Sequence, residues 1–229
     1  MPSSQDYAAL AAGPADSRPR TVVGALLNYR QALAALGDAA AEPPYKAPPK
    51  APVLYIKPAN TYADDGDDIA LPADVQEVEI GACLGIVFAR KATRVDAARA
   101  LDYVAGYRVV ADLSVPHATF YRPPVKQKSR DGFCPIGALA ERGQVADPDK
   151  LDIEVRIDGQ VAQRATTGDL IRPVARLIAD VTQFMSLDRG DILLVGVPAG
   201  APRARAGQRY EIEIAQVGRL ANRLVAASA

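Results

Sequence analysis

Apolar residues in this chain recur mainly at strand spacing, and a helical period appears in only a few places. Residues 21–27 (TVVGALL) form a short apolar run that predicts a first strand. Residues 28–36 (NYRQALAAL) then predict a helix stopped by Gly37. Residues 42–52 (EPPYKAPPKAP) are proline-dense. Proline fixes φ and lacks an N–H, so this stretch reads as an extended connector rather than a paired strand. Residues 53–57 (VLYIK) read as a strand closed by Pro58, and residues 64–68 (DDGDD) as an acidic turn. Residues 75–88 (VQEVEIGACLGIVF) open with alternation. Val75, Glu77 and Glu79 share one face, and Val78 and Ile80 take the other.

Farther on, residues 96–105 predict a helix with Asp96 as N-cap, ended by Gly106. Residues 107–113 (YRVVADL) predict a strand that ends in acid at Asp112. Asp158-Gly159 between alternating runs predicts a hairpin. Leu170, Ile171, Val174, Leu177, Ile178, Val181, Phe184 and Met185 have helical spacing and predict a core-packing helix over 169–187. Residues 192–196, 210–217 and 220–225 read as closing strands. Many strands with three convincing helices predict a β-rich α+β fold, a mixed sheet or barrel. Residues 1–20, rich in Ala, Ser and Pro, predict a mobile tail, and residues 21–229 one domain.

Charge and composition narrow the chemistry. Lys+Arg and Asp+Glu both number 27, so a broad nucleic-acid or anionic-membrane surface is not expected. No apolar run approaches the ~18–20 residues that span a bilayer. No basic segment precedes an apolar stretch at the N-terminus, so a secretory signal is not expected. Cys83 and Cys134 are too few for a disulfide scaffold, which makes a reduced cytoplasm the default. Cys83 is expected in the core and Cys134 as a loop thiol. With His117 as the one histidine, HExxH and multi-histidine metal sites are excluded. That histidine reads as a partly exposed loop residue.

Carboxylates and lysines must then carry the polar chemistry. Glu77 and Glu79 point the same way from one strand and repel unless a cation or proton lies between them. An exposed strand face also carries such pairs. A third carboxylate on a neighbouring strand would favour a hard divalent cation, Mg²⁺ or Mn²⁺, and Asp112 is the best-placed candidate. Lys126 and Lys128 read either as a basic surface loop or as a source of charge for a substrate carboxylate or enolate.

Several segments together resemble the fumarylacetoacetate hydrolase family. They are Glu77-Val78-Glu79 running on to Gly85, GYRVVADLS over 106–114, KSRDGFCPIG over 128–137 and LDRGDILLVGVP over 187–198. The resemblance covers about residues 21–225. It implies a mixed-sheet pseudo-barrel with few helices, and a Mg²⁺ or Mn²⁺ ion held by Glu77, Glu79 and Asp112. It also places Lys128 at the family's catalytic lysine. Residues 43–61 and 113–137 are similar, more narrowly, to the N-terminal half or first subunit of the isomerase/decarboxylases of homoprotocatechuate (4-hydroxyphenylacetate) breakdown.

That likeness implies decarboxylation of 5-oxopent-3-ene-1,2,5-tricarboxylate and isomerisation of 2-hydroxyhepta-2,4-diene-1,7-dioate. Lys57, Arg122 and Arg130 are further candidates for the substrate carboxylates. Family members usually form dimers, which implies a homodimer or a heteromer with a homologous chain. Ala32 and Ala35 stand where related hydrolases carry a His/Glu pair, and Val197 where many have threonine. The alternatives are therefore a catalytically weakened partner subunit, which the alanines favour, and a C–C hydrolase of an acylpyruvate-like substrate, which they disfavour.

Overall fold

A computed structural model describes residues 18–117 and 121–227. Within them lie thirteen strands in two sheets. The larger sheet runs β2 (Val53–Lys57), β1 (Val22–Leu26), β10 (Ile192–Leu194), β5 (Val78–Phe88), β6 (Val104–Ser114), β7 (Cys134–Glu141), β3 (Tyr62–Asp64). The short strand β11 (Arg203–Ala204) pairs with the start of β5. The second sheet runs β4 (Asp68–Leu71), β13 (Gly218–Ala226), β12 (Arg209–Ile214), β8 (Asp152–Ile157), β9 (Gln160–Thr166). Both sheets mix parallel and antiparallel pairs. This is the expected β-rich α+β architecture.

Strands β5 and β6 are long because nearly every side chain on both of their faces is buried. On one face, β6 and β7 pack against β12 and β13 of the second sheet. Ile80, Leu84, Ile86 and Leu113 are fully buried there, each contributing about 1.5–3 kcal/mol. Alternation is therefore legible at Glu77–Ile80 and lost beyond it, as central strands covered on both faces require. Residues 158–159 form the predicted hairpin turn, with φ of 49° and 79°.

Helices are shorter than the sequence predicts. Helix α1 covers only Arg30–Ala34 and is followed by a 3₁₀ turn, Gly37–Ala40, rather than stopping at Gly37. Residues Ala97–Tyr103 form a 3₁₀ segment, capped as expected by Asp96, whose Oδ1 accepts from Ala98 N. Here β6 begins at Val104, so Gly106 lies inside a strand. A one-turn helix, α2 (Val125–Lys128), was not predicted. Helix α3 spans only Val174–Thr182, because Pro173 cannot sit inside a helix and takes the N-cap position instead. Its buried residues Val174, Leu177, Ile178 and Val181 keep the i, i+3, i+4, i+7 stripe, while Phe184 lies outside the helix and is exposed.

Cys134 is another correction. It opens β7 and is fully buried, not a loop thiol, and burial pushes its thiol up to about 12. Cys83 lies in the core as expected. The expected tail falls, for residues 1–17, outside the described residues. Among the described residues no helix is long and apolar enough to cross a membrane.

Candidate active site

Register builds the site. In the antiparallel pair β5–β6, Gly81 lies opposite Asp112 and Glu79 opposite Ser114. The period of two therefore puts Glu79, Gly81, Asp112 and Ser114 on one face. That face lines a cavity of about 520 Å³, together with His117, Lys128, Arg203 and an apolar wall that includes Ala32, Ala35 and Val197. The absence of a side chain at Gly81 is required. A Cβ there would stand 2.5 Å from Asp112 O and 2.8 Å from Val197 Cγ2.

Asp112 is the fixed point. Lys57 Nζ lies 2.8 Å from its Oδ1 and Lys128 Nζ donates to its Oδ2 at 2.6 Å. The Tyr55 hydroxyl donates to the same Oδ2 at 2.5 Å. Burial raises the cost of the charged carboxylate, but Lys128 and Lys57 together outweigh it and hold Asp112 well below the usual carboxylate range. Burial and then the Asp112 charge keep the Tyr55 phenol protonated far above its ordinary range. Tyr55 reaches Asp112 by lying across Gly24 of β1, where a Cβ would come within 2.2 Å of its ring.

Lys57, expected to reach a substrate carboxylate, does not line the cavity. Its side chain is fully buried, and its ammonium donates to Leu113 O, Lys128 O and Phe133 O at 2.8–2.9 Å. These carbonyls belong to the segments on either side of the site, so one buried cation ties β6, α2 and the start of β7 together. Three donors are thereby spent on carbonyls, and Asp112 Oδ1 accepts no hydrogen bond among the described residues. Lys128, at the end of α2, reaches the cavity wall.

Of the three expected carboxylates, Glu79 and Asp112 line the cavity and Glu77 does not. Arg203 Nη1 donates to Glu77 Oε1 at 2.9 Å, and its Nη2 lies 3.6 Å from Glu79 Oε1. Arg205 holds the other Glu77 oxygen at 3.3 Å. The Arg203 bond, followed by that of Arg205, keeps the Glu77 carboxyl below its ordinary range. As these side chains lie, no three Asp, Glu, His or Cys residues among those described are grouped to hold a metal ion. Arg122 is exposed and does not line the cavity. Arg130 is occupied by Asp74, with contacts of 2.9 and 3.0 Å, and also lies off the cavity wall. Lys126 is exposed, as its surface reading expects.

Sequence reasoning missed Ser114 and Arg203 as site residues and gave His117 no role. His117 contacts Ser114 Oγ at 3.3 Å and lines the cavity. Ser114 was available from the same alternation that placed Asp112. Arg203 follows an irregular stretch and reaches Glu79 through a two-residue pairing, which leaves no periodic trace.

The C-terminal domain profile of fumarylacetoacetate hydrolase matches residues 21–225. The chain belongs to the fumarylacetoacetate hydrolase family. Among its relatives, the 4-hydroxyphenylacetate degradation bifunctional isomerase/decarboxylase of Salmonella dublin is 38% identical over 206 residues, covering 90% of this chain. The match spans 47% of that protein, about half its length. Solved structures superpose well on this chain. One is 5-carboxymethyl-2-hydroxymuconate delta-isomerase from Mycobacterium smegmatis, with 29% identity, a TM-score of 0.78, and coverage of 92% of this chain and 80% of that one. Another is maleylpyruvate hydrolase from Sphingobium sp. SYK-6, solved with manganese(II) and pyruvate. It has 28% identity, a TM-score of 0.75, and coverage of 92% of this chain and 72% of that one.

Proposed function

We propose that this family member is a divalent-cation-dependent decarboxylase and isomerase of an oxo-dicarboxylate or oxo-tricarboxylate from 4-hydroxyphenylacetate breakdown. The substrates would be 5-oxopent-3-ene-1,2,5-tricarboxylate and 2-hydroxyhepta-2,4-diene-1,7-dioate. The observation that carries this reading is the joint presence of Glu79, Asp112 and Lys128 on the wall of one cavity, against an apolar face at Ala32 and Ala35.

The residues fit a hard cation. Asp112 keeps one buried oxygen that accepts no hydrogen bond, though Lys57 is ion-paired with it, Glu79 lies on the same face, and Glu77, two positions before Glu79, is partly exposed and free to turn once its arginines release it. Glu77, Glu79 and Asp112 would hold Mg²⁺ or Mn²⁺, which supplies a Lewis acid for a 2-oxo-carboxylate.

The chain's own groups do the rest. Lys128 would place a positive charge beside the oxygen that becomes the dienolate, and its charge is little screened because the side chain is buried. Loss of CO₂ leaves its electron pair in that dienolate and needs no base. In the isomerisation, a proton leaves the 2-hydroxyl and one arrives at C5. His117 lies on the same wall, and an imidazole can both take and give a proton. Water activation for C–C hydrolysis has no titrating group at positions 32 and 35, both of which face the cavity as methyl groups.

Mixing the purified chain with each substrate and Mg²⁺ or Mn²⁺ tests the reading. CO₂ release and loss of the dienol absorbance are expected, both abolished by a chelator. Turnover that is indifferent to the chelator would sink it. Ala32 and Ala35 also favour a second reading, a subunit that works beside a homologous chain. Activity that appears only when the homologue is added would support that reading.

A further inference from the structure

We infer that Arg203 is a built-in competitor for the cation, a guanidinium that holds Glu77 and Glu79 closed until a divalent ion displaces it. The inference rests on the cation-site reading above and adds a residue that sets the site's affinity. The geometry is specific. β11 places Arg203 directly opposite Glu79 in the antiparallel register. From there one guanidinium touches both members of the pair, 2.9 Å from Glu77 and 3.6 Å from Glu79. It thus does what a divalent ion would do, relieving the repulsion between two carboxylates on one strand face.

The latch is built to open. Over half of the Arg203 side chain is exposed, and the carboxylates it holds are themselves about one-quarter exposed, so its grip is that of a surface pair rather than a buried one. Asp112 is different. Its lysines are buried and fixed, and they hold it in place with or without the ion. Two ligands are therefore held by a movable cation and the third by fixed ones. Arg205 touches Glu77 alone, at the rim, and is a lesser contributor.

Titrating the full chain with MnCl₂, by calorimetry and by the electron paramagnetic resonance signal of free Mn²⁺, tests this without reference to turnover. Arg203→Gln should bind Mn²⁺ about tenfold more tightly than the wild type, since it removes both a competing partner and a nearby positive charge. Arg203→Lys, which keeps the charge and loses the fork, should fall between them. Arg205→Gln should change the affinity less than Arg203→Gln. Equal or weaker binding by a folded Arg203→Gln protein would overturn the proposal. Glu79→Gln separates the two levels. If it loses Mn²⁺ binding while Arg203→Gln gains none, the site stands and the latch fails. If Glu79→Gln leaves Mn²⁺ binding unchanged, the cation site fails, and the latch with it.

Discussion

Lys57 and Asp112 form an ion pair at 2.8 Å in which both side chains are fully buried. Such a pair is costly to break because each charge has left water on account of the other. Lys57→Met is therefore expected to destabilise the protein by about 3–5 kcal/mol, measured by chemical denaturation. A loss below about 1 kcal/mol would show that Lys128 alone satisfies Asp112. Replacing both partners, as Lys57→Met with Asp112→Leu, is expected to recover part of that loss while removing the site.

The same carboxylate sets an acid limit. Asp112 is held below its ordinary range in the folded chain, whereas the unfolded chain binds a proton at about pH 4. Below that pH the unfolded state binds more protons, so stability from this group is complete above about pH 4 and drains away as pH falls towards the folded value. Thermal melts between pH 6 and pH 3 should show the drop in the wild type. The slope should be shallower in the Lys57→Met/Asp112→Leu protein, and identical slopes would count against Asp112 as its source.

Glu79 offers the cleaner test of function, because it lines the cavity without anchoring the core. Glu79→Gln should cut turnover by about 100-fold or more and leave the melting temperature nearly unchanged. Activity within a few-fold of the wild type would remove Glu79 from the mechanism.

Tyr55 should report on how Asp112 is oriented. Tyr55→Phe deletes a hydrogen bond to a buried carboxylate and should cost about 1.5–3 kcal/mol. Gly24→Ala should cost at least as much, since its Cβ would lie within 2.2–2.6 Å of the Tyr55 ring and must push it away from Asp112. If Gly24→Ala proved neutral by denaturation, the ring would have to have another resting place.

The chain's strand spacing, its Asp158-Gly159 turn and the shared face of Glu77 and Glu79 were legible from residue order, because they depend on local geometry with a period of two. Asp112 and Lys128 were put forward there too, Lys128 through the family resemblance, and both line one cavity. Helix lengths were misjudged: Pro173 sets a boundary by its own geometry, which residue order shows, while the tight 3₁₀ turns respond to what each segment packs against. Tertiary structure alone made Lys57 a buried strut, occupied Arg130 with Asp74, and set Arg203 across the glutamate pair. Each of these is a contact between segments dozens of residues apart. Charge interactions of that kind depend on distance and burial in three dimensions, and the order of residues along the chain carries neither.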